Sequence, residues 1–106
     1  MKHYSDSPLS FRAKPDGPLI SLSKPQHRKL ARYLAEQRQH CRDVFALQIL
    51  METGIEQYQG RMSEMRVLGF DIETKPQLNP EKRDRRKIFR LADNIELIER
   101  SGNDEA

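Results

Sequence analysis

The stretch Thr53-Gly54-Ile55-Glu56-Gln57-Tyr58-Gln59-Gly60-Arg61-Met62-Ser63-Glu64-Met65-Arg66-Val67-Leu68-Gly69-Phe70-Asp71-Ile72 decides how the chain is read. Ile55, Tyr58, Met62 and Met65 recur at helical spacing and define one apolar face. Glu56, Gln57, Gly60, Ser63 and Glu64 fall opposite them, with Arg61 at the flank. Gly69 suits a helix C-terminus, because glycine adopts the left-handed conformation found there without strain. This predicts a helix over residues 56–68. Phe70-Asp71-Ile72-Glu73-Thr74 then alternates apolar and polar residues, the period of a half-buried strand.

Working back, a second helix is expected from Asp43, whose carboxylate is a good N-cap. It runs to Thr53-Gly54, and Val44, Phe45, Ala46, Leu47, Ile49, Leu50 and Met51 make it apolar over most of its girth, as if buried on several sides. A first helix opens at Ser23-Lys24-Pro25-Gln26, a capping-box pattern. Its apolar stripe is Leu30, Tyr33, Leu34 and Gln37. A buried helix, a glycine turn and an amphipathic helix form a helix-turn-helix pattern. Working forward, Lys87–Leu91 is a second strand, and the loop before it carries the run Glu81–Lys87.

The expected fold is mainly α with a small β-hairpin: a winged helix-turn-helix of three helices plus a two-stranded wing. Residues 1–21, with Pro8, Pro15, Pro18 and scattered apolar positions, read as a flexible arm. The domain spans 22–99, the 94–100 stretch fits neither period well, and 100–106 read as a disordered acidic tail.

Residues 53–72 resemble small helix-turn-helix proteins common in phages and prophages. The resemblance rests on Gly54, Ile55, Arg61, Met62, Met65, Arg66, Gly69, Phe70 and Ile72. Where that group has Ser or Thr capping the helix before the turn, this chain has Phe45, and its wing loop is longer. The resemblance implies the fold and a nucleic-acid role, without a target sequence.

Charge points the same way. Nineteen Lys and Arg stand against sixteen Asp and Glu, for a net charge of +3. The cations concentrate in 24–40 and 77–93, on either side of a near-neutral apolar middle; such blocks attract polyanions or simply form solvated faces. A major groove accepts one α-helix, and its floor displays distinguishable donors and acceptors. Candidate base-reading residues are Glu56, Gln57, Gln59, Gly60, Arg61 and Glu64. Gln57 can read adenine, Arg61 can read guanine or hold phosphate, and Gly60 permits close approach. Gln59 points sideways and suits plain solvent exposure better than base reading, whereas for Gln57 and Arg61 the two readings are balanced. Glu56 and Glu64 would be repelled by phosphate unless aimed at cytosine amino groups, or else they mark a protein-binding surface. Lys82, Arg83, Arg85, Arg86 and Lys87 are candidate wing contacts to phosphate or the minor groove. Lys24, Arg28, Lys29 and Arg32 are candidate contacts to the flanking backbone.

The expected function is sequence-selective binding of double-stranded DNA, as a phage or prophage transcription regulator, with a homodimer enlarging a small footprint. The alternative is a protein-interaction module of the same fold, gripping a host protein. Catalysis is not expected: His3, His27 and His40 lack ligand spacing, and neither a phosphate-cradling glycine loop nor a paired-cysteine motif is present. No cofactor or metal is expected. Cys41 alone cannot form an internal disulfide, which suits a reducing, cytoplasmic setting. No apolar run approaches the roughly 20 residues that cross a membrane.

Overall fold

The computed structural model describes residues 4–79 and 84–99. In chain order the elements are β1 (Leu9–Ala13), β2 (Ile20–Leu22), α1 (Pro25–Gln39), β3 (Val44–Phe45) and α2 (Ala46–Thr53). They continue as α3 (Tyr58–Val67), β4 (Ile72–Asn79), β5 (Asp84–Leu91) and β6 (Ile95–Glu99). All strand pairs are antiparallel, in two three-stranded sheets ordered β2-β1-β6 and β3-β5-β4. The architecture is therefore α/β, which corrects the expectation of a mainly α chain with a two-stranded hairpin.

The largest correction is at the N-terminus. Residues 9–13 and 20–22 are strands rather than a flexible arm, and β1 is the centre of its sheet. Leu9, Phe11 and Leu22 are buried, and Phe11 meets Phe70 edge-to-face at 5.0 Å. Burying these side chains offsets the entropy lost on ordering the segment. Gly17 closes the β1–β2 turn, where a Cβ would run into the Ala13 carbonyl oxygen. Only glycine fits that approach. On the far side of β1 lies β6, in the register Leu9↔Glu99, Phe11↔Leu97 and Ala13↔Ile95. The unassigned 94–100 stretch is thus a strand over 95–99. The acidic tail, 100–106, lies outside the described residues.

Helix α1 starts at Pro25, whose fixed φ suits a first helical residue, after an extended Lys24. No side chain caps it, so the expected Ser23 capping box is not formed. Its buried stripe contains the expected Leu30, Tyr33, Leu34 and Gln37, and also His27 and Ala31.

Helix α2 begins at Ala46 rather than Asp43, because Val44 and Phe45 are taken by β3. They pair with Phe89 and Ile88 of β5. A β-branched and an aromatic residue favour that extended pairing. The Gln48 amide oxygen accepts the Phe45 N–H at 2.9 Å, satisfying one donor at the helix start. Only Ile49 of α2 is fully buried; Leu47 is 65% and Met51 64% exposed. The helix lies on the core by one face and is not enclosed on several sides.

The turn after α2 is built by Thr53 and Gly54. The Thr53 hydroxyl donates to the Ile49 carbonyl and accepts the Ile55 N–H, while Gly54 takes a left-handed φ of 73°. At the end of α3, Gly69 at φ 98° carries the matching reversal. Phe70 N–H returns to Met65 O and Gly69 N–H to Arg66 O, both at 3.0 Å, which is the paired bonding of a Schellman end. That reversal drops Phe70 into the core and launches β4.

Candidate nucleic-acid interface

The core phase of α3 is as expected, with Met62 and Met65 fully buried and Tyr58 half-buried. Its outer face differs. Helix α1 lies along the Arg61–Glu64 flank, and the buried His27, 2% exposed, places Nε2 2.7 Å from Glu64 Oε1. An ionised carboxylate only accepts, so Nε2 carries the hydrogen. Lys24 Nζ donates to the same oxygen at 3.3 Å, and Arg61 lies 3.2 Å from Glu64 Oε2. The hydrogen bond from His27, then those cations, hold the Glu64 carboxyl below its usual range. Glu64 and Arg61 therefore take part in a strap between α3 and α1, and are not a free acid and base on the exposed face of α3.

What remains open on α3 is a stripe of Gln59, Gly60, Ser63, Arg66 and Val67. It contains no acid. Val67 is 87% exposed at its end. Glu56 and Gln57 are exposed but precede the helix, in the turn from which α3 starts at Tyr58. The stripe faces β4 across a cleft of about 220 Å³ lined by Gln59, Met62, Ser63, Arg66, Thr74 and Phe89. Arg66 spans the cleft, donating to the Ile72 carbonyl at 3.0 and 3.1 Å and to the Thr74 hydroxyl at 2.5 Å. These bonds fix the hairpin relative to the helix.

The hairpin itself is longer than a two-stranded wing with a basic loop. Arg85, Arg86 and Lys87 lie within β5, in register with Leu78, Gln77 and Pro76. Lys82 and Arg83 lie outside the described residues. Lys75 on β4 is exposed.

Two expected backbone contacts are used inside the protein. Arg28 donates to the Asp6 and Leu22 carbonyls at 2.6 and 2.9 Å. Arg32, with a side chain only 11% exposed, grips Glu99 at 2.7 and 3.0 Å and the Ser5 carbonyl at 2.6 Å. The Arg32 guanidinium holds the Glu99 carboxyl below its usual range. Lys24 is exposed, and Lys29 is half-buried. Lys24, though exposed, is itself drawn to Glu64 at 3.3 Å.

Ser63, Arg66, Val67 and Thr74 were outside the expected site. The spacing of Gln59, Ser63 and Val67 was a visible signal, since residues four apart share a helix face. Among the described residues no cluster of three His, Cys, Asp or Glu side chains is placed to hold a metal. Among them too, no helix is long and apolar enough to cross a membrane. Comparison with known proteins finds no matching family, no matching curated protein and no matching solved structure.

Proposed function

We propose that the protein binds double-stranded DNA selectively, with α3 in the major groove and the β4–β5 hairpin beside it, as a transcription regulator. Gly60 carries this reading. It lies in the first turn of α3 at an exposed position, and a Cβ built on it meets nothing within 4 Å. Packing does not require glycine there, and in a helix interior it costs roughly 1 kcal/mol relative to alanine. A surface that must approach another closely is the reason such a residue serves. Around it stand Gln59 and Ser63, short hydrogen-bonding groups of the kind that read base edges. The basic residues of β5 supply the charge for phosphate contacts.

A second reading, as a protein-interaction module, is favoured by one observation. Leu47 and Met51 are one helical turn apart on α2, and both are largely exposed. Selection from a random duplex library, followed by titration at several salt concentrations, separates the two. A DNA-binding protein enriches a site and loses affinity steeply with salt. Failure to enrich any sequence, with weak binding insensitive to salt, would leave the interaction module as the better account.

A further inference from the structure

The sheet β2-β1-β6 ends at β6, so β6 has one side without a strand. The direction of its backbone groups follows from one bond: Lys14 N–H donates to the Asn94 carbonyl at 2.7 Å, pointing residue 94 toward β1. In an antiparallel ladder the direction alternates, so 96 and 98 also face β1, while 95, 97 and 99 face the open side. Ile95 agrees, because its carbonyl accepts Arg38 Nη1 at 2.8 Å from α1. Among the described residues, nothing pairs with the N–H or carbonyl of Leu97, the middle residue of the strand. Beside that edge run two adjoining hollows that share Ala35, Gln39 and Leu97 in their walls. They leave room for the inward side chains of an added strand.

We propose that this edge is where two copies of the chain join, β6 to β6, antiparallel about Leu97. The pattern Ile95-Glu96-Leu97-Ile98-Glu99 suits its own copy in that register. With Leu97 opposite Leu97, each Glu96 faces an Ile98 and each Glu99 faces an Ile95. All five residues lie in register and no two acids meet, whereas like charges directly opposite one another destabilise a sheet. The new ladder bonds are those of Leu97, because the Ile95 N–H and carbonyl are already held by Ala92 and Arg38. Moving the centre to Glu96 would shorten the overlap and set Glu96 against Glu96. The acids are also neutralised within each copy, Glu96 by Arg12 at 3.1 Å and Glu99 by Arg32 at 2.7 Å. Charged residues usually protect an exposed edge strand from pairing. Here that protection is cancelled, and Leu97 is left at the centre. The product is one continuous six-stranded sheet shared by the two copies.

The interface is tested on the full chain without DNA, so its outcome is independent of the DNA-binding reading. Sedimentation equilibrium is expected to give twice the 12.5 kDa chain mass. Leu97→Lys is expected to give a single chain mass with an unchanged far-ultraviolet spectrum. A second measurement does not depend on the lysine variant folding. With Cys41 replaced by Ser, Leu97→Cys should form a disulfide-linked dimer on mild oxidation. Directly opposed, hydrogen-bonded residues lie about 5.5 Å apart, within disulfide reach. Glu96→Cys should not crosslink, because its symmetry mate lies diagonally at about 7–8 Å. A parent that sediments as a single chain, or crosslinking at 96 as readily as at 97, overturns the proposal.

Discussion

His27 Nε2 and Glu64 Oε1 lie 2.7 Å apart, joining a buried residue of α1 to the flank of α3. The pair orients α3: it turns the one acid of the helix toward α1 and presents Gln59, Gly60 and Ser63 outward. The strap also has a cost if broken. Nδ1 of His27 has no hydrogen-bond partner among the described residues, so Nε2 carries all the polar satisfaction of a buried ring.

The first prediction concerns pH. Glu64 ionises at lower pH in the folded chain than its ordinary value of 4.5. A depressed carboxyl stabilises the fold in full above that ordinary value and loses the effect as pH falls through the folded one. Glu64→Gln should therefore lower stability at neutral pH and flatten the acid side of the stability profile. Urea midpoints across the acid range check this. If the protein binds DNA as proposed, its sequence preference should be unchanged in the variant, since the carboxylate faces α1. An altered preference would return Glu64 to the groove.

The second prediction separates the two faces of α2. Ile49→Ala should destabilise by about 2–5 kcal/mol, as for other fully buried aliphatic residues. Leu47→Ala should change stability by no more than about 0.5 kcal/mol, because its side chain is largely in solvent. Chemical denaturation of the two variants gives the comparison directly. Equal losses would mean that α2 is covered on both faces in solution.

The helices also show how much the sequence could reveal. The α1 stripe and the phase of Met62 and Met65 were legible because one period persists over several turns. The Gly69-Phe70 junction was legible because few residues can follow a left-handed reversal into a core. The β1–β2–β6 sheet was not. Its strands have three to five residues, too short for a period to stand out. Phe11 also meets its partner Leu97 from the other end of the chain. At the candidate site, the buried phase of α3 was legible, and the withdrawal of Arg61 and Glu64 from its exposed face was not. Arg61 and Glu64 look like solvent-facing residues until His27 and Lys24 arrive from another helix. Asp43 resembles a cap because cap residues are local signals, while the pairing of Val44 and Phe45 with β5 is not.

The third prediction uses Gly60. Gly60→Ala has open space for its methyl group and should raise stability by roughly 0.5–1 kcal/mol. If DNA approaches that face closely, the same change should weaken duplex binding. A stabilised protein with reduced affinity is an outcome that few structural accounts produce. Unchanged affinity would place the contact elsewhere.

The fourth prediction concerns charge. If β5 contacts phosphate as proposed, replacing Arg85, Arg86 and Lys87 together by Ala should weaken duplex binding by about 10-fold or more at moderate salt. The slope of log affinity against log salt should fall by roughly 0.9 for each phosphate left without its cation. Binding isotherms at several salt concentrations measure both. A variant with the parental slope would take β5 out of the interface.

The last prediction distinguishes base reading from backbone gripping, and it rests on Gln59 and Ser63. Both are exposed on α3 and line the cleft toward β4, on the stripe left open by the Glu64 strap. Gln57, which precedes the helix, is held by the turn and points from a different element. If the open stripe enters the major groove, Gln59→Ala should relax preference at one base pair, since a good two-point contact discriminates by about 1–3 kcal/mol. Ser63→Ala should have a smaller effect at a neighbouring position, because a hydroxyl can donate or accept and so discriminates less between base edges. Neither change should much alter non-specific affinity, which comes from phosphate contacts. Gln57→Ala serves as the control from the turn. Duplex selection with the three variants at one salt concentration reads the result as a changed binding logo. If Gln57→Ala alone shifts the logo, the turn and not the helix stripe does the reading. Should no variant shift it, α3 is not the reading element, and the exposed Leu47 and Met51 on α2 become the surface to pursue.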